Sequence, residues 1–300
     1  MKHKKLNIIG IIAVIIAIIS AHCLTKEKTL TTGIKTENMD TNFHAGDDFY
    51  QYATNGWRKQ NPIPDDYSRY GVFEVLNNTN QERVREIIEN DNGKIGTLYN
   101  LVMDADKLNA DGVKPVEKYI AEIDNLTRAD LEEYLGRIHS FSGGFWGDGV
   151  ALDEQDSNHF LYNIYQGGIG LSRDYFFDTD TKSVEIRNKY KEFITKQMKN
   201  FGIDVDTDKL YALEERMAKS FFPKEKLRDP HANYNKMSIA EIQEKFPGFD
   251  WKKYLSARGA SAAEYINIGQ PSAITESIAI MNDTDFELIK QYFILGMISK

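Results

Sequence analysis

The chain has 300 residues, 41% apolar, 12% aromatic and 27% charged, with a formal net charge of −8 at neutral pH. That content excludes a disordered chain and supplies material for one large domain or two ordinary ones. The acidic balance, with no basic block after residue 5, excludes a protein that tracks nucleic-acid phosphates, and a single cysteine excludes a disulfide scaffold and thiolate metal sites.

Lys2, Lys4 and Lys5 precede residues 8–21, an apolar run whose only polar member is Ser20, and a Thr/Lys/Glu stretch follows. This is the layout of a secretory leader, shorter than the roughly 20 residues that span a bilayer. The expectation is an exported chain, in a periplasm, on a cell surface or anchored as a lipoprotein, with residues 1–22 as signal peptide or lipoprotein leader. Cys23 is the lipidation candidate; plain cleavage after Ala21 is the alternative, because His22 stands where a lipidation signal wants a small residue. Membrane contact is expected only through the leader or a lipid. Residues 23–39 are polar and aperiodic and read as a tether, and the folded region is expected over residues 40–300.

Within that region helical spacing dominates. Phe73, Leu76, Val84, Ile87 and Ile88 form one helical stripe that Asn90 to Gly93 stops, and Ile95, Leu98 and Val102 form another. Pro115 opens a helix through Ile120 and Ile123, and Thr127 with Asp130 reads as a capping box ahead of Leu131, Leu135 and Ile138. The period then changes. Residues 150–152 and 160–165 alternate like strands and are expected to pair as one small antiparallel hairpin near residues 149–165. Helical spacing returns at Ile186 to Phe201, stopped by Gly202, and at Leu210 to Phe221, stopped by Pro223. Ser238 with Glu241 caps a further helix, and a last pattern from Phe286 runs on towards Lys300. The fold class is therefore mainly α with a small antiparallel hairpin.

Local chemistry is sparse. The six histidines form no His-x-x-x-His pair, so no metal site is expected and they read as structural residues. Gly167, Gly168 and Gly170 follow a strand but lead into no helix start, and read as a turn. Asp153/Asp156 and Asp174/Asp178 read as solvated turn acids, and Phe49, Tyr50, Tyr52 and Trp57 read as core. No catalytic residue is identified on these grounds.

Longer stretches carry a resemblance. Gly46-Asp47-Asp48-Phe49-Tyr50-Gln51-Tyr52-Ala53-Thr54-Asn55-Gly56-Trp57, followed by Asn61-Pro62-Ile63-Pro64 and Ser68-Arg69-Tyr70-Gly71-Val72-Phe73-Glu74, resembles the N-terminal signature of the neprilysin-like zinc endopeptidases, family M13. Gln166 to Tyr175, Leu213-Glu214-Glu215-Arg216-Met217-Ala218, Tyr234-Asn235-Lys236-Met237 and Phe249-Asp250-Trp251 follow in the order of that family. The leader suits its bacterial, secreted or lipid-anchored branch.

The resemblance implies a helical domain that caps a zinc-peptidase lobe, encloses a cavity and limits substrates to peptides. It implies zinc for the full-length family but none bound by this chain, because the family's His-Glu-x-x-His helix, third zinc ligand and Asn-Ala-Tyr stretch do not occur in residues 1–300. On this reading the 300 residues are part of a longer design. The implied partners are peptide substrates and a second chain or region carrying the zinc domain; the alternative is a noncatalytic envelope protein that binds peptides or a partner. Such a capping domain alone is expected to expose an apolar face. Arg69 matches the family arginine that binds a peptide's C-terminal carboxylate, and Arg69 and Glu74 are the substrate-binding candidates that the resemblance implies. Val72 and Glu74 depart from the usual Asn and Asp, which leaves a plain structural salt bridge as the other role of Arg69.

Overall fold

The structure is a computed structural model that describes residues 33–139 and 144–299. The leader, Cys23 and most of the tether lie outside the described residues. Among those described, no helix is long and apolar enough to cross a membrane. The chain divides into two units, Met1–Asp104 and Ala105–Lys300.

The first unit contains α1 (Phe49–Gln60), α2 (Val72–Glu89) and α3 (Lys94–Met103). Asp48 starts α1 by accepting the Gln51 N–H at 3.0 Å. A short 3₁₀ turn, Thr36–Asn38, lies against α1 because Gly56 has no side chain. A Cβ there would sit 2.6 Å from the Glu37 and Met39 carbonyl oxygens. Asp40 fixes this contact. Its carboxylate accepts Lys59 Nζ and Asn55 Nδ2, each at 2.7 Å, and its N–H donates to the Tyr52 carbonyl at 2.8 Å. The Lys59 hydrogen bond holds its carboxyl well below the usual carboxylate range.

Asp40 and Gly96 are the buried residues among the described part of this unit, so the expectation that Phe49, Tyr50, Tyr52 and Trp57 form a core is overturned. A helix hides large rings only against a second layer, and within the unit α1 packs against the short turn and, through Trp57, against Tyr70. On α2 and α3, Phe73, Leu76, Ile87, Leu98 and Val102 are exposed.

The second unit holds the hydrophobic core and twelve helices among its described residues. They are α4 (Ala105–Asp111), α5 (Lys114–Asp124), α6 (Leu131–Ile138), α7 (Arg173–Phe177), α8 (Thr181–Asn200), α9 (Thr207–Ser220), α10 (Lys224–Leu227), α11 (Pro230–Asn233), α12 (Ile239–Lys245), α13 (Trp251–Arg258), α14 (Pro271–Asp283) and α15 (Phe286–Ile298). Both expected capping boxes form. The Thr127 N–H donates to Asp130 at 3.2 Å ahead of α6, and Ser238 and Glu241 exchange bonds at the start of α12. Leu135, Trp146, Ile164, Met198, Met217, Trp251, Ile274 and Phe293 belong to one core. Gly136 lets α6 and α13 approach closely, since a Cβ would stand 2.5 Å from the Tyr254 carbonyl oxygen. α15 ends at Ile298 with Ser299 as its cap, and Lys300 lies outside the described residues.

The expected hairpin is present and longer than its sequence signal. β1 (Trp146–Asp153) and β2 (Asp156–Gln166) pair antiparallel, with Val150 opposite Tyr162 and Leu152 opposite Phe160. It is half of a four-stranded mixed sheet, ordered β1-β2-β4-β3. β4 (Tyr265–Ile268) runs parallel to β2, and β3 (Lys236–Ser238) runs antiparallel to β4. Strands of three and four residues carry too little alternation to be read locally. They are fixed by distant polar partners. Asn267 Nδ2 reaches Asn163 Oδ1 at 3.0 Å across the parallel pair, and Gln270 Oε1 accepts the Gln166 N–H at 2.7 Å.

The hairpin turn also corrects the reading of its acids. Asp153 is buried and accepts Lys236 Nζ at 2.7 Å and Tyr234 Oη at 2.8 Å, and the Lys236 hydrogen bond lowers its carboxyl to about 2. Asp174 pairs with Lys224 at 2.7 Å. Asp156 keeps the local role of a turn acid, accepting the Asn158 N–H at 3.1 Å, and Asp178 is exposed.

Candidate functional site

The first unit forms a groove of about 740 Å³ between α1 and the segment that leads into α2. Trp57 stacks on Tyr70 at 6.2 Å between ring centroids, and Tyr67 meets Tyr70 edge-on at 5.4 Å. The Arg58 guanidinium lies over the Tyr50 ring at 5.3 Å. Asn61 closes the end of α1 by donating to the Trp57 carbonyl at 2.8 Å.

Arg69 lies on this groove. Its Nε donates to Glu74 Oε1 at 3.1 Å, its side chain is 88% exposed, and that of Glu74 is 18% exposed. The two terminal nitrogens of Arg69 have no partner among the described residues. The planar fork is thus oriented from one side by Glu74 and open on the other, which is the form that receives a carboxylate through two parallel hydrogen bonds. Lys59 also lines the groove but is committed to Asp40, so Arg58 and Arg69 supply the open positive charge. Arg69, singled out from the sequence, borders this groove with Glu74 beside it, and Tyr50 and Trp57 border it instead of entering a core. The alternation of rings with Arg58, Lys59 and Arg69 was the available signal that these rings face a ligand-sized opening.

Among the described residues no group of three His, Cys, Asp or Glu is placed to hold a metal ion. His139 is buried and hydrogen-bonds Tyr254 Oη at 2.9 Å, while His44 and His159 stand on the surface beside Asp47 and Asp156. The described residues do not provide the donor set that zinc needs.

Residues 45–300 match the sequence profile of peptidase family M13. The chain belongs to peptidase family M13. It is 25% identical over 304 aligned residues to endothelin-converting enzyme 1 of Cavia porcellus, an alignment covering 93% of this chain and 40% of that enzyme. It is 26% identical to membrane metallo-endopeptidase-like 1 of Mus musculus, covering 78% of this chain and 35% of the relative. Among solved structures it resembles the Mycobacterium tuberculosis zinc metalloprotease ZMP1 in complex with inhibitor, with a TM-score of 0.79, 25% identity and coverage of 87% of this chain and 43% of that one. The Lactobacillus rhamnosis PEPO structure shares the fold at a TM-score of 0.69 and 14% identity, over 85% of this chain and 43% of its own. This M13 chain therefore spans about 40% of the length of the relatives it matches.

Proposed function

We propose that this M13 chain is the N-terminal, substrate-enclosing part of a zinc metalloendopeptidase, a peptide-bond hydrolase whose zinc and catalytic groups are supplied from outside these 300 residues. The observation that carries the reading is the open Arg69 fork, oriented by Glu74 on an aromatic groove, in a chain of this family. In this reading Arg69 binds the C-terminal carboxylate of a peptide, Glu74 positions the guanidinium, and the Trp57–Tyr70 stack offers apolar surface to a neighbouring side chain. The exposed apolar residues of α2 and α3 supply surface for a lobe carrying the zinc domain, on the same or a second chain. Residues 1–22 serve as its export leader, with Cys23 as the lipidation site in the anchored form.

The test is binding of a short fluorescent peptide with a free or an amidated C-terminus. The free form is expected to bind more tightly by about tenfold, and Arg69→Ala is expected to erase that difference, since a charge-assisted bond contributes on the order of 1.5–3 kcal/mol. Equal binding of the two forms to the unaltered chain would remove the Arg69 role. The purified chain alone is expected to hold no stoichiometric zinc and to cleave no peptide. Peptide binding without any zinc-bearing partner in the native complex would favour a noncatalytic binding protein.

A further inference from the structure

The second unit contains a cavity of about 560 Å³, within the range of small-molecule sites. Its walls are the glycine turn after β2, α8, α9 and the end of α15. Gly170, Phe193 and Ser299 reach solvent at its mouth, whereas Glu214, Tyr292 and Leu295 are buried at its base. The glycines are required by this shape. Gly168 has φ +88°, and a Cβ on Gly170 would stand 1.9 Å from Tyr190 Oη.

Glu214 is 3% exposed, and no Lys, Arg or His lines the cavity among the described residues. Its carboxylate accepts the Gly170 N–H at 3.1 Å and the Tyr190 hydroxyl at 2.8 and 2.9 Å, two hydrogens in all. A carboxylate has about four acceptor directions. Tyr292 does not fill the remainder, because its hydroxyl donates to the Gly144 and Gly168 carbonyls. The base of the cavity is therefore rich in acceptors, anionic once Glu214 ionises, and bordered by the rings of Tyr190, Phe193 and Tyr292. A ligand that satisfies it brings hydrogens and positive charge at one end and apolar surface at the other.

We propose that this cavity binds a small organic cation, an ammonium group carrying an apolar substituent, with Glu214 as its counter-ion. The site stands independently of the peptidase reading, because the Arg69 groove belongs to the other unit and neither uses a residue of the other. Free amines and the N-terminal ammonium of a peptide share this chemistry. Burial raises the Glu214 carboxyl to about 7, so the charged form that attracts the ligand prevails above neutrality. The titratable groups facing it are Tyr190 of α8 and Tyr292 of α15, with Tyr211 on its own helix, and all three hydroxyls are shifted up and stay neutral there.

The experiment is calorimetric titration of the full chain with 2-phenylethylamine, its neutral counterpart 2-phenylethanol, and a tetrapeptide beginning in phenylalanine with a free or acetylated N-terminus. The amine is expected to bind saturably at pH 8, at least about tenfold more tightly than the alcohol and more weakly at pH 5. Glu214→Gln should remove that advantage. Ser299→Trp, at the exposed mouth, should block binding without disturbing the core, and keeps the test decisive where E214Q does not fold. Binding of the free but not the acetylated peptide would extend the site to peptide N-termini, whereas binding of the amine alone assigns it to free amines. Equal affinity for amine and alcohol, no saturable amine binding, or insensitivity to both variants would overturn the proposal.

Discussion

Glu214 makes the stability of this chain depend on pH in a direction opposite to that of most carboxylates. Burial raises its carboxyl from the ordinary 4.5 to about 7, so the folded chain binds this proton more tightly than the unfolded one. The stability it contributes is fully present below about 4.5 and is lost as pH rises towards 7, to a limit of about 3 kcal/mol. Asp153 works the other way. Lowered to about 2, it contributes stability above the ordinary carboxylate range that is lost as pH falls towards 2. Urea unfolding of the native chain and E214Q between pH 5 and 8 should show a declining stability only in the former. Parallel curves would show that Glu214 is not held in this state. The segment that carries Arg69 was legible at this scale because it is local in sequence. Glu214 lay within a quoted motif, but its burial under the Gly170 turn joins residues 44 apart and leaves no local trace.

At the scale of elements, the contact between α6 and α13 depends on one residue without a side chain. Gly136 faces the Tyr254 carbonyl and the Ala257 methyl, where a Cβ would stand 2.5 and 2.7 Å away. Gly136→Ala is expected to push the two helices apart and cost on the order of 1–3 kcal/mol, despite the better helix propensity of alanine. A denaturation midpoint unchanged or raised in G136A would contradict this packing. The neighbouring layer behaves differently. Trp146, Phe249, Trp251 and Tyr254 form a ring cluster in which Trp146 donates to Tyr254 Oη at 3.1 Å, so the same residues supply apolar burial and direction. Long periodic helices such as α8 and α9 were readable because each repeats its stripe over several turns. β3, β4 and α14 were not, since their boundaries depend on partners such as Asn163, Gln166 and Asn233 far along the chain.

At the scale of the whole molecule, the two units differ in kind. The second has a continuous core, while the described part of the first has no buried apolar side chain and exposes Phe73 at 84% and Ile87 at 69%. Exposed apolar surface, where it joins into patches beyond a few hundred Å², is uncommon on isolated monomers. The purified chain is expected to bind a hydrophobic dye and to self-associate, and Ile87→Lys with Leu98→Glu should reduce both while leaving the unfolding midpoint of the second unit unchanged. A monodisperse monomer that ignores the dye would refute this expectation.

The sequence by itself determined the mainly helical class, a hairpin near residues 149–165, both capping boxes and the M13 resemblance, because each is written in neighbouring residues or in an ordered series of motifs. The tertiary structure alone decided that the α1 aromatics border a groove, that Asp153 is a buried ion-pair partner, that a parallel strand joins the hairpin and that Glu214 lies in a cavity. The physical reason is the same in each case. Periodicity states which face of an element is apolar, but burial depends on what arrives against that face, and the arriving residues lie tens of positions away.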